Sequence, residues 1–453
     1  MCLLEDKAIG QRAIHWFGYR VIEVATLVVI AHVLVLFAVI PYVSTRLAPS
    51  YNQDVFADGY DYLATNLAAG NGYRFYPDSA TTLMREPGYP LVLAGLMLLF
   101  GRAFIAVKIV NLMLALGTAW LLTRIVGKFT DSQWAMIVAP SLFLFHPGTL
   151  IAESRGGVEI LFGFLLTLFV VTLYRAIDSR RSSAFLVCGL VLGVTVLVRS
   201  VPIFFPIFLL GYLLIFERKR ITPLAALRNV AIILLTMLAV LSPWIIRNYT
   251  LTGKFVPTAS VLGVSAQAGQ YIFTHRNDGK PWWLLDREAA QERDQLATQL
   301  GYPFRDVYYQ TFYRTGDEIR FSSFLLARVV GVYKKSPGLF VDFVGHNLVN
   351  IWIAGKTKMA TGANVVIQLP YLVLAMIGAV IGLRNHLWRF VAPIVLLIGY
   401  VVSVYIPILA QARYSVPLVP FLSILATIAL IALWEKMNRT RELTSDPAGA
   451  HNG

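Results

Sequence analysis

Cysteine, charge and phosphate-loop glycines are all scarce in this chain, and each scarcity removes a class of function. Two cysteines occur in 453 residues, Cys2 at the N-terminus and Cys188 inside an apolar run, which leaves no disulfide framework and no thiolate metal site. His146, His275 and His346 are scattered without ligand spacing, so no structural metal site is expected among them. Charged residues make up 14% of the chain against 57% hydrophobic ones, a balance that a soluble domain cannot bury and a bilayer requires. No glycine-rich loop opens a helix; "GNG" at residues 70–72 reads as a turn, and a soluble nucleotide is not expected as a direct substrate. There are no internal repeats, and the one biased tract is the polar tail after Asn438.

What the chain has instead is apolar length. Runs at residues 21–43, 104–123, 133–151, 157–174, 184–199, 201–216, 226–246, 365–383, 390–409 and 415–434 predict an all-α polytopic membrane protein of about ten spans. The first run is long for a signal-peptide core and no small-residue cleavage site follows it, so it reads as a retained signal anchor. The formal net charge of +14 then reports topology, with the bilayer as partner and no nucleic acid. With the N-terminus inside, Lys7, Arg12, Arg20, Arg124, Lys128, Arg175, Arg180, Arg181, Arg218, Lys219, Arg220, Arg228, Arg384, Arg389, Lys436, Arg439 and Arg441 all fall on one side. Both termini become cytoplasmic, residues 1–246 hold the first spans, 365–437 the last, and 438–453 a cytoplasmic tail. Residues 44–103 and 247–364 become two outer segments, where the chemistry has room.

In the first segment, "REPGYPLVLAGLMLLFG" (85–101) is short for a span and bounded by prolines and a glycine, so an interfacial helix is expected. The second is mixed helical, with Trp282 and Trp283 at headgroup level and a break at "KKSPG". The stretch "DVFADGYDYLATNLAAGNGYRF" (54–75) predicts a helix over Asp58–Ala69 with Leu63 and Leu67 on its apolar face. Asp58, Asp61, Tyr62 and Thr65 would then share a polar face. Two carboxylates one turn apart can divide acid, base and positioning roles; equally, Asp58 near the N-cap could stabilise free amides on a solvated face.

Taken together, "FADGYDYLATNLAAGNGY", "REPGYPLVLAGLMLLFG", "KIVNLMLALGTAWLLTRIVG", "PGTLIAESRGGVEILFGFLL", "PWIIRNYTLTGKFVPTAS" and "ARYSVPLVPFL" occur in a recognisable order. They resemble the protein-mannosyltransferase-like C-type (GT-C) glycosyltransferases, including the lipid A aminoarabinose transferases, over residues 21–434 and least in 260–315. The resemblance implies a GT-C-like bundle and a sugar donor carried on a polyprenyl phosphate. It puts Asp58 beside the reacting sugar, as general base in a single inverting displacement. Relatives often follow this aspartate with another acid; Gly59 stands here, and Asp61 is the candidate in its place. Arg85 of "REPGYP" matches the phosphate-facing position, where Glu86 and Pro87 replace a pair of prolines. Arg413 and Tyr414 open the last span, Arg247 ends another on the outer side, and Glu153 matches a family position that lines the cavity. Tyr62 and Tyr89 complete the expected substrate-binding set.

Each arginine can equally snorkel to the interface, and Glu153 can equally cap a helix. No cofactor is required by the resemblance, and a divalent cation held by Asp58 and Asp61 stays open. The implied reaction moves one sugar to a glycan, lipid A or lipopolysaccharide, another lipid or a protein on the periplasmic face of a bacterial inner membrane. A transporter or flippase of a lipid-linked sugar, or an inactive relative serving as a scaffold, are the competing classes; the first should carry mid-bilayer charges and repeats.

Overall fold

A computed structural model describes residues 22–47, 57–306, 311–385 and 387–445. Cys2, Lys7, Arg12, Arg20, Asp54 and the tail beyond Ser445 lie outside the described residues. Helices dominate because lipid leaves backbone groups no partner but the chain itself. Among the described residues the only sheet is a two-stranded antiparallel ladder pairing Phe304 with Phe312.

Among the described residues, seven helices are long and apolar enough to cross a membrane: Ile22–Val43, Phe104–Val126, Glu159–Ser179, Pro223–Thr252, Lys358–Arg384, Trp388–Tyr405 and Ala412–Asn438. An eighth span results if Gln133–Leu144 and Pro147–Ser154, bent by 55°, count together. The bend falls where Pro147 cannot donate to the preceding turn and the His146 ring accepts from Gly148 N to start a new helix. Each apolar run named above contains helix, although the run at 133–151 is broken at residues 145–146 and helix ends at Tyr405 in the run at 390–409. Two of them are short, however: Ser182–Val198 has 17 residues and Phe205–Phe216 has 12, joined by a tight turn containing Pro202. The Pro223–Thr252 helix runs past residue 246, so Arg247 sits on its last turns rather than in a loop, and it stops at Gly253 with φ 66°.

The stretch expected to lie at the interface forms the helix Gly88–Phe100, ended by Gly101 at φ 67°, with Leu98, Leu99 and Phe100 more than half exposed. Its start lies so close to the end of Ser182–Val198 that a Cβ on Gly88 would meet Leu197 O and Val198 Cγ2 at 2.8 Å. That approach brings the "REPGYP" strap beside Arg199. At the opposite end of the bundle, Lys128 pairs with Asp178 at 2.6 Å and Arg389 with Glu217 at 2.8 Å, tying the short basic connections together.

The second outer segment holds the helices Leu262–Thr274, Trp282–Gln299, Thr315–Lys335 and Pro337–Ile353. Leu63, Tyr73, Phe75 and Met84 of the first segment share a core with Val264, Phe312, Phe321 and Leu325 of the second. The two segments thus pack against each other through this shared cluster.

Candidate functional site

Ala57–Gly59 form one turn in which Asp58 has φ 62° and ψ 17° and Gly59 has φ 74°. Glycine reaches this left-handed region freely, and aspartate is among the few other residues that tolerate it. The helix Tyr60–Ala68 begins after the turn, with Gly59 at its N-cap and no side chain capping it. Leu63 is fully buried, as its spacing predicts. The shared polar face of Asp58, Asp61, Tyr62 and Thr65 is corrected: two left-handed residues carry Asp58 out of helical register, and it does not cap the helix either. Asp61 accepts from Arg102 Nη2 at 3.0 Å, and Tyr62 is exposed with its ring 5.5 Å from Tyr76. The two aspartates face different arginines and are not presented as a pair. Among the described residues no group of three His, Cys, Asp or Glu is arranged for a metal ion.

Asp58 turns instead into a cluster of guanidiniums. Its Oδ1 accepts from Arg413 Nη1 at 3.1 Å, and its backbone oxygen accepts from Arg85 Nε at 3.4 Å. Arg199 supplies a third cation within electrostatic reach. Burial pushes the Asp58 carboxyl up, but Arg413, Arg85 and Arg199 outweigh it and hold the group well below the usual carboxylate range. Tyrosines floor the cations: Arg85 lies over Tyr60 at 5.8 Å, and Arg199 and Arg413 each lie over Tyr414 at 5.2 Å. Tyr405 stacks on Tyr414 at 4.6 Å. Tyr89 meets Tyr60 edge to face at 5.1 Å, and its buried hydroxyl has no hydrogen-bond partner. Glu159 approaches Arg199 at 3.9 Å and Glu86 acts on Arg85 from the strap, while Arg413 Nε is buried without an acceptor. A site with spare cationic donors at the end of apolar helices is built for an anion whose remainder is apolar.

The strap that carries Arg85 is held from several sides. Tyr73 Oη donates to the backbone oxygens of Arg85 and Glu86, both at 3.0 Å. Glu86 is buried and accepts from Ser200 N at 3.0 Å and Ser200 Oγ at 2.6 Å, which fastens the strap to the turn after Arg199. Buried Glu318 accepts from Thr82 Oγ1 at 2.8 Å, Leu83 N at 3.1 Å and Ser260 Oγ. Burial raises its carboxyl above the ordinary range against the pull of these hydrogen bonds. Arg247 belongs to this support and not to the cluster: it donates to Thr82 O at 3.1 Å and lies over Trp244 at 4.2 Å. Glu153 also lies apart, fully buried with its Oε2 3.0 Å from His32 Nε2 of the first span.

Of the expected residues, the fold therefore gathers Asp58, Arg85, Arg413 and Tyr414, with Tyr89 beneath them, and leaves Asp61, Tyr62, Glu153 and Arg247 elsewhere. Arg199 is the main member not singled out from sequence. Its signal was an arginine at a tight turn between two apolar runs, on the same side as Arg85. Glu318 carried no such signal.

The family model described as dolichyl-phosphate-mannose-protein mannosyltransferase matches residues 84–246. The matched stretch takes in the Arg85 strap, the interfacial helix and Arg199. The family resemblance drawn from the motifs is thus met there. Among solved structures, the chain is similar to ArnT from Cupriavidus metallidurans bound to undecaprenyl phosphate, with a TM-score of 0.40 and 12% identity over 94% of this chain and 81% of that one. No curated protein matches the chain.

Proposed function

We propose that this protein is a membrane glycosyltransferase that moves one sugar from a polyprenyl phosphate to an acceptor at the outer face of the membrane. The observation that carries the reading is the grouping of Arg85, Arg199 and Arg413 around Asp58. When the bond between phosphate and anomeric carbon breaks, negative charge grows on the phosphate. Fixed guanidiniums in a low-dielectric setting stabilise that charge more in the transition state than in the ground state. The matched family is described by a donor of this chemistry, a sugar on a polyprenyl-type phosphate, which supports the reading.

In this scheme Arg85, Arg199 and Arg413 receive the phosphate, with Tyr414 and Tyr89 beside it. The resemblance makes Asp58 the general base. Arg413, Arg85 and Arg199 keep its carboxylate ionised in the free site, and the same negative charge orients the cations and stabilises the positive charge that develops at the anomeric carbon. A single displacement inverts that centre. The site would face the periplasm of a bacterial inner membrane, with both termini cytoplasmic and a glycan, lipid A, another lipid or a protein as acceptor. No cofactor is invoked.

The test is release of polyprenyl phosphate by purified wild type and Asp58→Asn in nanodiscs, offered a panel of polyprenyl-phosphate sugars with membrane extract as acceptor. Wild type should release it with at least one donor, and Asp58→Asn should be slower by about a hundredfold or more. Lipid binding without release by either protein would instead favour a flippase, to be checked by a flipping assay.

A further inference from the structure

Away from the arginine cluster, an open cleft of about 620 Å³ lies between the helices Leu262–Thr274, Trp282–Gln299 and Thr315–Lys335 of the second outer segment. Its size falls in the range of about 300–1,000 Å³ usual for sites that take a small ligand. Among the described residues, Val332 is the only aliphatic side chain in its lining. Tyr271 forms an aromatic wall, stacked on the His275 ring at 4.0 Å and 20°. His275 Nδ1 lies 2.9 Å from Tyr271 O and 3.1 Å from Thr274 Oγ1, which fixes its ring. The charges of the lining are balanced in pairs: Lys280 donates to Glu288 Oε1 at 2.7 Å and Arg328 to Glu292 Oε1 at 2.9 Å. Behind them, buried Gln267 donates to Glu292 Oε2 at 2.6 Å and accepts from Arg293 Nη1 at 2.8 Å, so Glu292 is held through both oxygens. Among the described residues, Glu288 Oε2 is buried without a partner, and the side-chain amides of Gln270, Gln291 and Gln295 make no hydrogen bond.

We propose that this cleft binds a neutral glycan, the part of the acceptor remote from the reacting group; the acceptor role rests on the glycosyltransferase reading. Other ligand classes lack a counterpart in the lining. An acyl chain needs apolar walls, a peptide needs apolar anchors in desolvated pockets, and an anion needs unpaired cations. Here the cations are paired. What stays open is a carboxylate oxygen that accepts from hydroxyls, amides that both donate and accept, and an aromatic wall whose negative face attracts polarised C–H groups. A sugar ring offers all three counterparts, with hydroxyls around its edge and C–H groups on its face. The cleft shares no residue with the cluster, yet the fold links them. Trp283 N, at the start of a helix that lines the cleft, donates to Lys356 O at 3.5 Å. Two residues earlier in that loop, Ala354 O accepts from Ala412 N, the neighbour of Arg413, at 3.1 Å. Glu288 follows Trp283 by about 8 Å of helix. An acceptor that reaches from cleft to cluster is therefore longer than one sugar, and its binding away from the reaction centre serves to hold the reacting group in place.

The experiment uses the full chain in nanodiscs and a panel of neutral tri- and tetrasaccharides of glucose, galactose, mannose and N-acetylglucosamine, with tetragalacturonate and a short-peptide library for comparison. Saturation-transfer NMR reads binding to wild type, Tyr271→Ala, the double variant Gln291→Ala/Gln295→Ala and Asp58→Asn, and Tm checks folding. Gln291 and Gln295 are exposed, so the double variant keeps its fold even where Tyr271→Ala does not. A neutral member should bind wild type and Asp58→Asn alike, and the cleft variants about tenfold more weakly. With the active donor and membrane extract, the cleft variants should raise the apparent acceptor KM by about the same factor and leave the donor KM as it is. Wild type that binds no neutral member, or a folded double variant that binds as wild type does, overturns the assignment. Preference for tetragalacturonate or for a peptide over every neutral member overturns it as well. Absence of polyprenyl phosphate release by wild type from every donor overturns the glycosyltransferase reading, and with it the acceptor role, even where sugar binding is seen.

Discussion

Arg413 and Asp58 are separated by 355 positions in the chain and by 3.1 Å in space, so the last span's first turn closes on the first outer loop through one charged hydrogen bond. Such bonds contribute about 1.5–3 kcal/mol, and the side chains here are 33% and 19% exposed, which places this pair at the lower end. Arg413→Ala should therefore lower stability by about 1–2 kcal/mol. Because the Asp58 carboxyl is depressed in the folded state, its contribution is in place above the ordinary carboxylate range and is lost only as pH falls through its lower folded value. The gap in Tm between wild type and Arg413→Ala should stay level from about pH 7 to about pH 5. Thermal unfolding at several pH values checks this; a gap that closes in that interval speaks against the pair.

The turn at Asp58 and Gly59 makes a second expectation. An acid in place of Gly59, the pattern the resemblance implies, would sit at φ 74°. Gly59→Asp should cost less than about 1 kcal/mol in left-handed strain, because aspartate tolerates this backbone, and Asp58→Ala should cost more than Asp58→Asn for the same reason. Denaturation of the three variants measures the order directly.

Glu318 should matter for stability and for donor affinity together. Removing its carboxylate by Glu318→Ala leaves Thr82 Oγ1, Leu83 N and Ser260 Oγ without their acceptor, at about 1–3 kcal/mol for each buried group left unpaired. The Arg85 strap loosens, so the donor KM should rise. Glu318→Gln keeps one acceptor oxygen and should show a smaller fraction of both effects. A normal KM in a destabilised Glu318→Ala protein would detach the strap from donor binding.

For Asp61 the expectation is the reverse. Its partner Arg102 is 64% exposed, and pairs of this kind contribute about 0–1 kcal/mol. Asp61→Asn should leave both Tm and turnover close to wild type, in contrast to Asp58→Asn. A large loss of turnover would return Asp61 to the chemistry.

Tyr89→Phe separates packing from contact. The hydroxyl is buried with no partner in the protein, so its removal should leave Tm unchanged or slightly higher, while the donor KM rises because the hydroxyl lies beside the cluster. An unchanged KM would remove Tyr89 from the donor-binding set.

Much of this architecture was legible in the order of residues. The interfacial helix was readable because its apolar stretch is too short to span and proline and glycine bound it. The resemblance singled out Arg85 and Arg413, each at the end of an apolar run, and the fold brings both to Asp58. The polar face of the acidic loop was not readable, because periodicity assumes helical backbone from Asp58 onward and the chain is left-handed there. Arg247 sat at an equally suggestive position, yet it serves the strap, since the helix beneath it continues to Thr252.

What the sequence by itself determined is therefore the helices and the ends at which charge collects, since lipid admits little else for apolar runs of such length. The tertiary structure alone decided which charges meet. Asp58 and Arg85 lie at two places in the first loop, and Arg199 and Arg413 come from turns much further along the chain. Their convergence depends on a left-handed turn, a glycine contact at Gly88 and buried hydrogen bonds from Glu86 and Glu318, whose geometry exists only once the helices have packed.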